Sequence, residues 1–149
     1  MMVGLLLLSA CSRDNMNYFP SIDEALDEFI RNEGIKGSID LITTMNDERL
    51  LVVQQDANNY FVGELLKDKK GFATNKISAN VVMELGGSWE LKTTANNKYT
   101  IYFEKVQENQ NYFPLSNGYY YISLVEGHQI EKEDSVFTNS IKDIKAIID

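Results

Sequence analysis

The sequence has very few of the residues that form disulfides and metal sites. It contains one cysteine, one histidine and two prolines in 149 residues. A single cysteine leaves no disulfide to form within one chain, and metals bound through nitrogen and sulfur need several His or Cys ligands. We therefore expect a fold held together by packing, and we predict no cofactor and no metal ion.

Positive charge is also sparse. The net charge is −8, and the basic residues are scattered except for Lys67, Lys69 and Lys70. Nucleic-acid binding depends on a basic surface that neutralises phosphates, so we predict no nucleic-acid partner. The acidic balance also weakens attraction to an anionic membrane, so membrane attachment is expected to depend on a covalent link.

The N-terminus carries a short apolar run followed by the only cysteine. Residues 1–8 are apolar and include four consecutive leucines, and Ser9, Ala10 and Cys11 come next. A transmembrane helix needs about 20 residues, so eight are too few to span a bilayer. The layout is typical of a cleaved signal peptide, although no Lys or Arg precedes the run. Either the true start lies upstream of Met1 or export is inefficient.

Leu8-Ser9-Ala10-Cys11 resembles the bacterial lipobox, and the general layout is similar to that of small lipoproteins of Gram-positive bacilli. The resemblance implies that Cys11 receives a lipid, with acyl chains such as palmitate, and becomes the first residue after cleavage. It also implies a location on the extracytoplasmic face of the cell membrane. The alternative is that residues 1–10 form a buried strand or helix and Cys11 packs as a small core residue.

We predict three segments on this basis. Residues 1–10 are a signal peptide, residues 11–19 a lipidated tether, and residues 20–149 a single α+β domain. The tether is polar, and about nine extended residues reach roughly 30 Å.

The first element of the domain is predicted to be a helix over residues 22–33. Ser21 and Glu24 form a capping box, and Gly34 provides the residue that ends the helix. Apolar residues between them recur at helical spacing, which predicts one face packed against the rest of the domain.

After the helix, short runs rich in β-branched and aromatic residues alternate with polar turns, which is typical of an antiparallel meander. The predicted strands are Ser38–Met45, Arg49–Gln55, Tyr60–Lys67, Phe72–Ser78, Val81–Leu85, Trp89–Thr94, Lys98–Val106, Tyr119–Glu126 and Glu131–Phe137. Residues 140–148 return to helical spacing and predict a short C-terminal helix. The expected fold is α+β, with the N-terminal helix packed on a mostly antiparallel meander sheet; a partly closed barrel is the competing architecture.

No pattern in the chain indicates a particular catalytic chemistry. His128 lies in a predicted turn, and nothing in the surrounding residues 125–129 indicates a nucleophile or an acid that would orient the ring, so we interpret it as a loop residue rather than a general base. The turn at residues 56–59 has the oxygen-rich character of a calcium loop, but it lacks the glycine and the distal glutamate of an EF-hand. Glu90 and Glu104 could form a hydrolytic carboxylate pair, although such pairs can be drawn in almost any acidic sheet.

The strongest local enrichment is aromatic, around a loop at residues 107–118. Tyrosine is frequent at binding surfaces and is also a good strand former, so ordinary packing remains the alternative. Because neighbouring strand residues point to opposite faces, not all of these side chains can share one surface. The candidate binding surface consists of Tyr112, Phe113, Tyr119, Tyr120 and Tyr121.

The leading hypothesis is a membrane-anchored binding module that recognises an envelope or exported protein. A cell-envelope hydrolase that uses carboxylates is the alternative, and an accessory subunit of an exported complex is a third hypothesis. A pocket with convergent carboxylates would favour the enzyme, and a flat surface bearing tyrosine would favour the binding module.

Overall fold

The computed structural model describes residues 16–106, 112–128 and 139–148. The signal peptide, Cys11, the predicted strand at residues 131–137 and part of the 107–118 loop lie outside this range. Within it the chain forms one helix and ten strands. They are α1 (Ile22–Glu33), β1 (Ile39–Thr44), β2 (Arg49–Asp56), β3 (Asn59–Asp68), β4 (Gly71–Lys76), β5 (Val81–Val82), β6 (Gly86–Lys92), β7 (Lys98–Glu104), β8 (Phe113–Pro114), β9 (Tyr121–Glu126) and β10 (Ile141–Ile148).

Helix α1 has the predicted boundaries. The Ser21 hydroxyl accepts a hydrogen bond from the Glu24 amide at 3.2 Å. Gly34 ends the helix in the left-handed conformation, with φ of 63°, and its amide bonds to the Ile30 carbonyl. Both caps satisfy backbone groups that a helix terminus leaves unpaired, which explains why the sequence located this element so closely.

The strands form two antiparallel sheets. The first, which we call sheet A, has the order β10-β1-β2-β3-β4, with β5 added beside the start of β3. The second, sheet B, has the order β6-β7-β9-β8. Strands β1 to β4 are consecutive neighbours, so the predicted meander is confirmed for this part of sheet A.

Sheet A has buried residues on both faces, because it lies between sheet B and α1. In β2, Leu50 and Val52 belong to the core between the sheets, whereas Leu51 and Val53 face the helix. Phe29 is the central helix residue on that side, and its ring meets the ring of Phe61 edge to face at 5.7 Å. The molecule is therefore layered as helix, sheet A and sheet B.

Gly63 allows the helix to approach the sheet. A Cβ atom at this position would lie 2.9 Å from the Phe29 ring, closer than side chains tolerate. Glycine in the middle of a strand often marks such a close approach.

The predicted C-terminal helix is wrong. Residues 141–148 form β10, which pairs with β1 at the edge of sheet A. Lys142 is an extra residue in the register, because Asp143 lies opposite Thr43 and Ile141 lies opposite Thr44. This β-bulge places Ile141 and Ile144 on the same face, both packed on the core between the sheets. A strand with a bulge can therefore bury apolar residues spaced three apart, a spacing that otherwise predicts a helix.

Two other expectations need correction. The strands form two stacked sheets in the described residues, rather than one meander sheet or a partly closed barrel. The predicted strand from Tyr119 begins instead at Tyr121, because residues 115–120 form a tight turn after the two-residue strand β8.

In the described part of the chain, no helix has both the length and the apolar character needed to span a membrane.

Candidate binding surface

The two sheets have two opposite ends, and different turns lie at each of them. One end carries the β1–β2, β3–β4 and β6–β7 turns. The segment before α1 joins the sheet there, since the Phe19 amide donates to the Phe72 carbonyl at 2.7 Å. We therefore call it the tether end. The opposite end carries the β2–β3 turn, β5 and the 115–120 turn, and we call it the apolar end. Strand β3 runs between them over ten residues, about 30 Å.

The apolar end concentrates exposed hydrophobic side chains. Leu85 is 84% exposed, Val82 74%, Val106 65% and Tyr119 61%. Leu85 precedes Gly86, which lies opposite Glu104 in the register, so Leu85 and Val106 lie near each other on adjacent strand ends. Single exposed hydrophobic residues are ordinary, but a group of large ones at one end is typical of an interaction site.

The turn that carries Tyr119 is fixed to sheet A by buried hydrogen bonds. Asp40, 2% exposed, accepts hydrogen bonds from the Ser116 amide at 3.2 Å and from the Ser116 hydroxyl at 3.1 Å. The Asn117 side chain donates to the Ser38 hydroxyl at 3.1 Å and to the Tyr60 hydroxyl at 2.9 Å. Because both sheets hold this turn, Tyr119 projects from a well-positioned support, an arrangement that suits recognition residues.

The structure separates the five aromatic residues that the sequence grouped together. Tyr119 and Phe113 are exposed, and Tyr112 and Tyr121 are half-buried. Tyr120 does not belong to the surface: it is 1% exposed, and its hydroxyl donates to the Met83 carbonyl at 3.3 Å. The alternation of side chains at the entry to β9 accounts for this correction, since Tyr120 packs into the core while Tyr119 faces solvent.

Tyr112 lies against an acidic neighbour rather than open solvent. Burial raises the pKa of Tyr112, and the negative charge and hydrogen bond of Glu104 raise it further. Tyr112 is therefore a half-buried neighbour of Glu104 and not a fully exposed part of the surface.

The tether end has a different composition, with polar side chains linking the two sheets. The Tyr99 hydroxyl donates to the Glu48 carboxylate at 2.7 Å, and the Asn97 side chain donates to the same carboxylate at 2.9 Å. Glu64, 2% exposed, accepts hydrogen bonds from the Thr94 amide at 3.1 Å and from Asn75 at 3.3 Å. These contacts supply hydrogen-bond donors to both the Glu48 and the Glu64 carboxylates.

The candidate catalytic residues are not brought together. Glu90 lies opposite Thr100, and Glu104 is four residues further along β7, which separates the backbone positions of the two residues by about 13 Å along the strands. Paired glycosidase carboxylates lie closer than about 10 Å. His128 contacts the Leu91 carbonyl at 3.1 Å and lies 3.7 Å from the Glu90 carboxylate. Among the described residues, no group of three His, Cys, Asp or Glu side chains could hold a metal.

Three clefts among the described residues lie where residues 16–19 meet the fold, away from the apolar end. One of them, of about 320 Å³, lies between α1 and β4. Its Glu28 carboxylate already accepts hydrogen bonds from Asn17 at 2.9 Å and from Asn32 at 3.1 Å. Polar groups that satisfy one another in this way leave few donors or acceptors for a ligand.

Sequence reasoning missed Val82, Leu85 and Val106. The only signal is the nearly continuous apolar run Val81–Leu85, which predicts a strand but pairs over two residues only. Comparisons with protein-family models, curated proteins and solved structures gave no match.

Proposed function

We propose that the chain is a lipid-anchored protein on the extracytoplasmic face of the cell membrane, and that it binds an envelope or exported protein through its apolar end. The observation that carries the proposal is the group of exposed side chains formed by Leu85, Val82, Val106 and Tyr119. They lie about 30 Å from the point where the chain enters the fold.

This separation suits an anchored binding module. A lipid on Cys11 would hold the tether end near the membrane, because Phe19 joins β4 at that end. The apolar end would then face away from the headgroups, where a partner can reach it. Two or more acyl chains on one cysteine give durable membrane residence, whereas a single chain gives only marginal binding.

The chemistry of the surface favours a protein over a small molecule. Its large side chains project outward instead of lining a cavity, and Tyr119 combines an apolar ring with a polar tip. Small-molecule sites are concave and enclose most of their ligand. Protein interfaces are centred on aromatic and apolar anchors of the kind present here.

The anchor is tested by labelling cells with radioactive fatty acid. We expect label in the wild-type chain and none in Cys11→Ala, because the thiol is the attachment point. Equal labelling of both chains would refute the lipoprotein assignment.

The binding surface is tested by pull-down from the native membrane with Tyr119→Ser and Leu85→Ser variants. Each is expected to weaken partner retention by about 2 kcal/mol or more while thermal stability stays nearly unchanged. Met45→Ser is the matched control, because Met45 is 59% exposed and belongs to the tether end. If only Met45→Ser loses the partner, the interface lies at the tether end and the proposed surface is wrong. If all three variants retain the partner, neither end contains the interface.

A further inference from the structure

The fold gathers lysines that are separate in the sequence. Lys67 lies near the end of β3, and Lys69 and Lys70 form the β3–β4 turn. Lys92 and Lys98 flank the β6–β7 turn. The two turns border a common cleft of about 360 Å³, lined by Lys67 and Lys70 on one side and by Thr94 and Ala95 on the other. Five exposed lysines therefore lie at the tether end of an acidic chain.

These lysines are not neutralised within the described residues. The ion pairs found there involve Lys76, His128 and Lys142, and none involves the five. The closest acid in sequence, Asp68, accepts a hydrogen bond from the Lys70 amide. Lys92 and Lys98 lie directly opposite each other in the β6–β7 register. Like charges in that position destabilise a sheet unless an anion lies between or beside them.

Two of the lysines also contact aromatic rings beside the entering chain. The Lys70 ammonium lies 5.6 Å from the centre of the Tyr18 ring, and the Lys67 ammonium lies 5.5 Å from that of Phe72. Aromatic rings and long basic side chains together suit the boundary between lipid headgroups and water.

We propose that these five lysines form a docking surface for anionic phospholipid headgroups. The inference rests on the proposed anchor, which would bring this end to a membrane, and it adds that the protein end itself contacts the lipid. Docking would fix the orientation of the domain and hold the apolar end outward. The net charge of −8 conceals this local surface. Of the carboxylates at the same end, Glu64 is 2% exposed and Asp47 pairs with Lys142. Asp68 lies at the end of β3 beside the lysines, and Glu28 of α1 lines a neighbouring cleft together with Lys70.

The test is flotation of the full chain carrying Cys11→Ser with phospholipid vesicles, so that no attached lipid contributes. Vesicles of phosphatidylcholine alone are compared with vesicles that also contain phosphatidylglycerol. Because each lysine near an anionic surface contributes about 1 kcal/mol, the Lys69→Glu/Lys70→Glu variant is expected to bind the mixed vesicles about tenfold or more weakly than the parent chain. Lys92→Glu/Lys98→Glu is expected to behave in the same way.

The matched control is Lys36→Glu/Lys145→Glu, which makes the same charge change at exposed lysines outside this surface. It is expected to lose much less binding, and added salt should weaken the preference of the parent chain for mixed vesicles. Equal loss in the control, or equal binding of the parent chain to both vesicle types, would overturn the proposal. The fatty-acid labelling of Cys11 is independent of this outcome, so failure of the docking surface and failure of the anchor can be told apart.

Discussion

The tether end and the apolar end are each held together by a buried carboxylate, but they expose different kinds of side chain to solvent. Each end joins sheet A to a neighbouring turn through a buried carboxylate, Glu64 at the tether end and Asp40 at the apolar end. Outside these links, the tether end exposes lysines and the apolar end exposes hydrophobic side chains. At each end, therefore, the residues that stabilise the fold are not the residues exposed to solvent, even where the two kinds are neighbours in sequence.

The largest test of this separation compares Tyr119 with Tyr120 at the apolar end. Tyr120→Ala is expected to lower the free energy of unfolding by about 3–5 kcal/mol, because the ring packs against Tyr60 and Phe103 in the core. Tyr119→Ala should change it by less than about 0.5 kcal/mol, because the side chain is exposed. Urea unfolding measures both. Similar losses in the two variants would show that the separation does not hold at this turn.

The second prediction concerns the pH dependence of stability that arises from Tyr60, which accepts a hydrogen bond from Asn117 of the same turn. Burial raises the pKa of Tyr60 to about 12, despite the hydrogen bond from Asn117 that lowers it. The folded state therefore favours the neutral phenol, and this contribution is fully present below the unfolded pKa of about 10. It should be lost as pH rises from about 10 to about 12, by about 3 kcal/mol in total.

Urea unfolding between pH 8 and pH 12 tests this expectation, with Tyr60→Phe as the comparison. The variant cannot ionise at this position and should lose less stability over that interval. Other buried tyrosines, including Tyr99, have pKa values raised in the same direction and remain in both chains. Parallel pH profiles for the two chains would contradict the assignment to Tyr60.

The smallest expected effect concerns the buried carboxylate of the tether end. Glu64→Ala leaves the Thr94 amide without its acceptor and should cost about 2 kcal/mol of unfolding free energy. Glu64→Gln keeps an acceptor oxygen and should cost less. Glu90→Ala removes an exposed carboxylate and serves as the control. If Glu64→Ala is no more destabilising than this control, the link between the sheets contributes little at this end.

Elements with local signals were predicted well from sequence. Helix α1 is bounded by Ser21 and Gly34, whose roles depend only on neighbouring backbone groups. Strands β1 to β4 are separated by short polar turns, and their predicted limits differ from the observed ones by at most two residues. For these elements the pattern of apolar residues and the packing agree.

Elements decided by distant partners were predicted poorly. The bulge at Lys142 exists because β10 must match β1, which is about a hundred residues away in sequence. The apolar end is assembled from four separate segments, so neither the exposure of Leu85 nor its proximity to Val106 is visible in local spacing. Tyr119 was found because the tyrosines are enriched locally, but the burial of Tyr120 depends on Met83 and on the core between the sheets.

The pairing of the first strand with the last has a consequence for how the chain acquires its fold. Ile39 in β1 lies opposite Ile148 in β10, so sheet A is complete only when the chain is available as far as residue 148. Contacts between residues so distant in sequence slow folding, because the intervening chain must be ordered before the pairing stabilises it. A polypeptide that emerges N-terminus first therefore has the edge of β1 unpaired until residues 141–148 are released. If the chain crosses a membrane in extended form, as the proposed location requires, such late closure favours passage before folding.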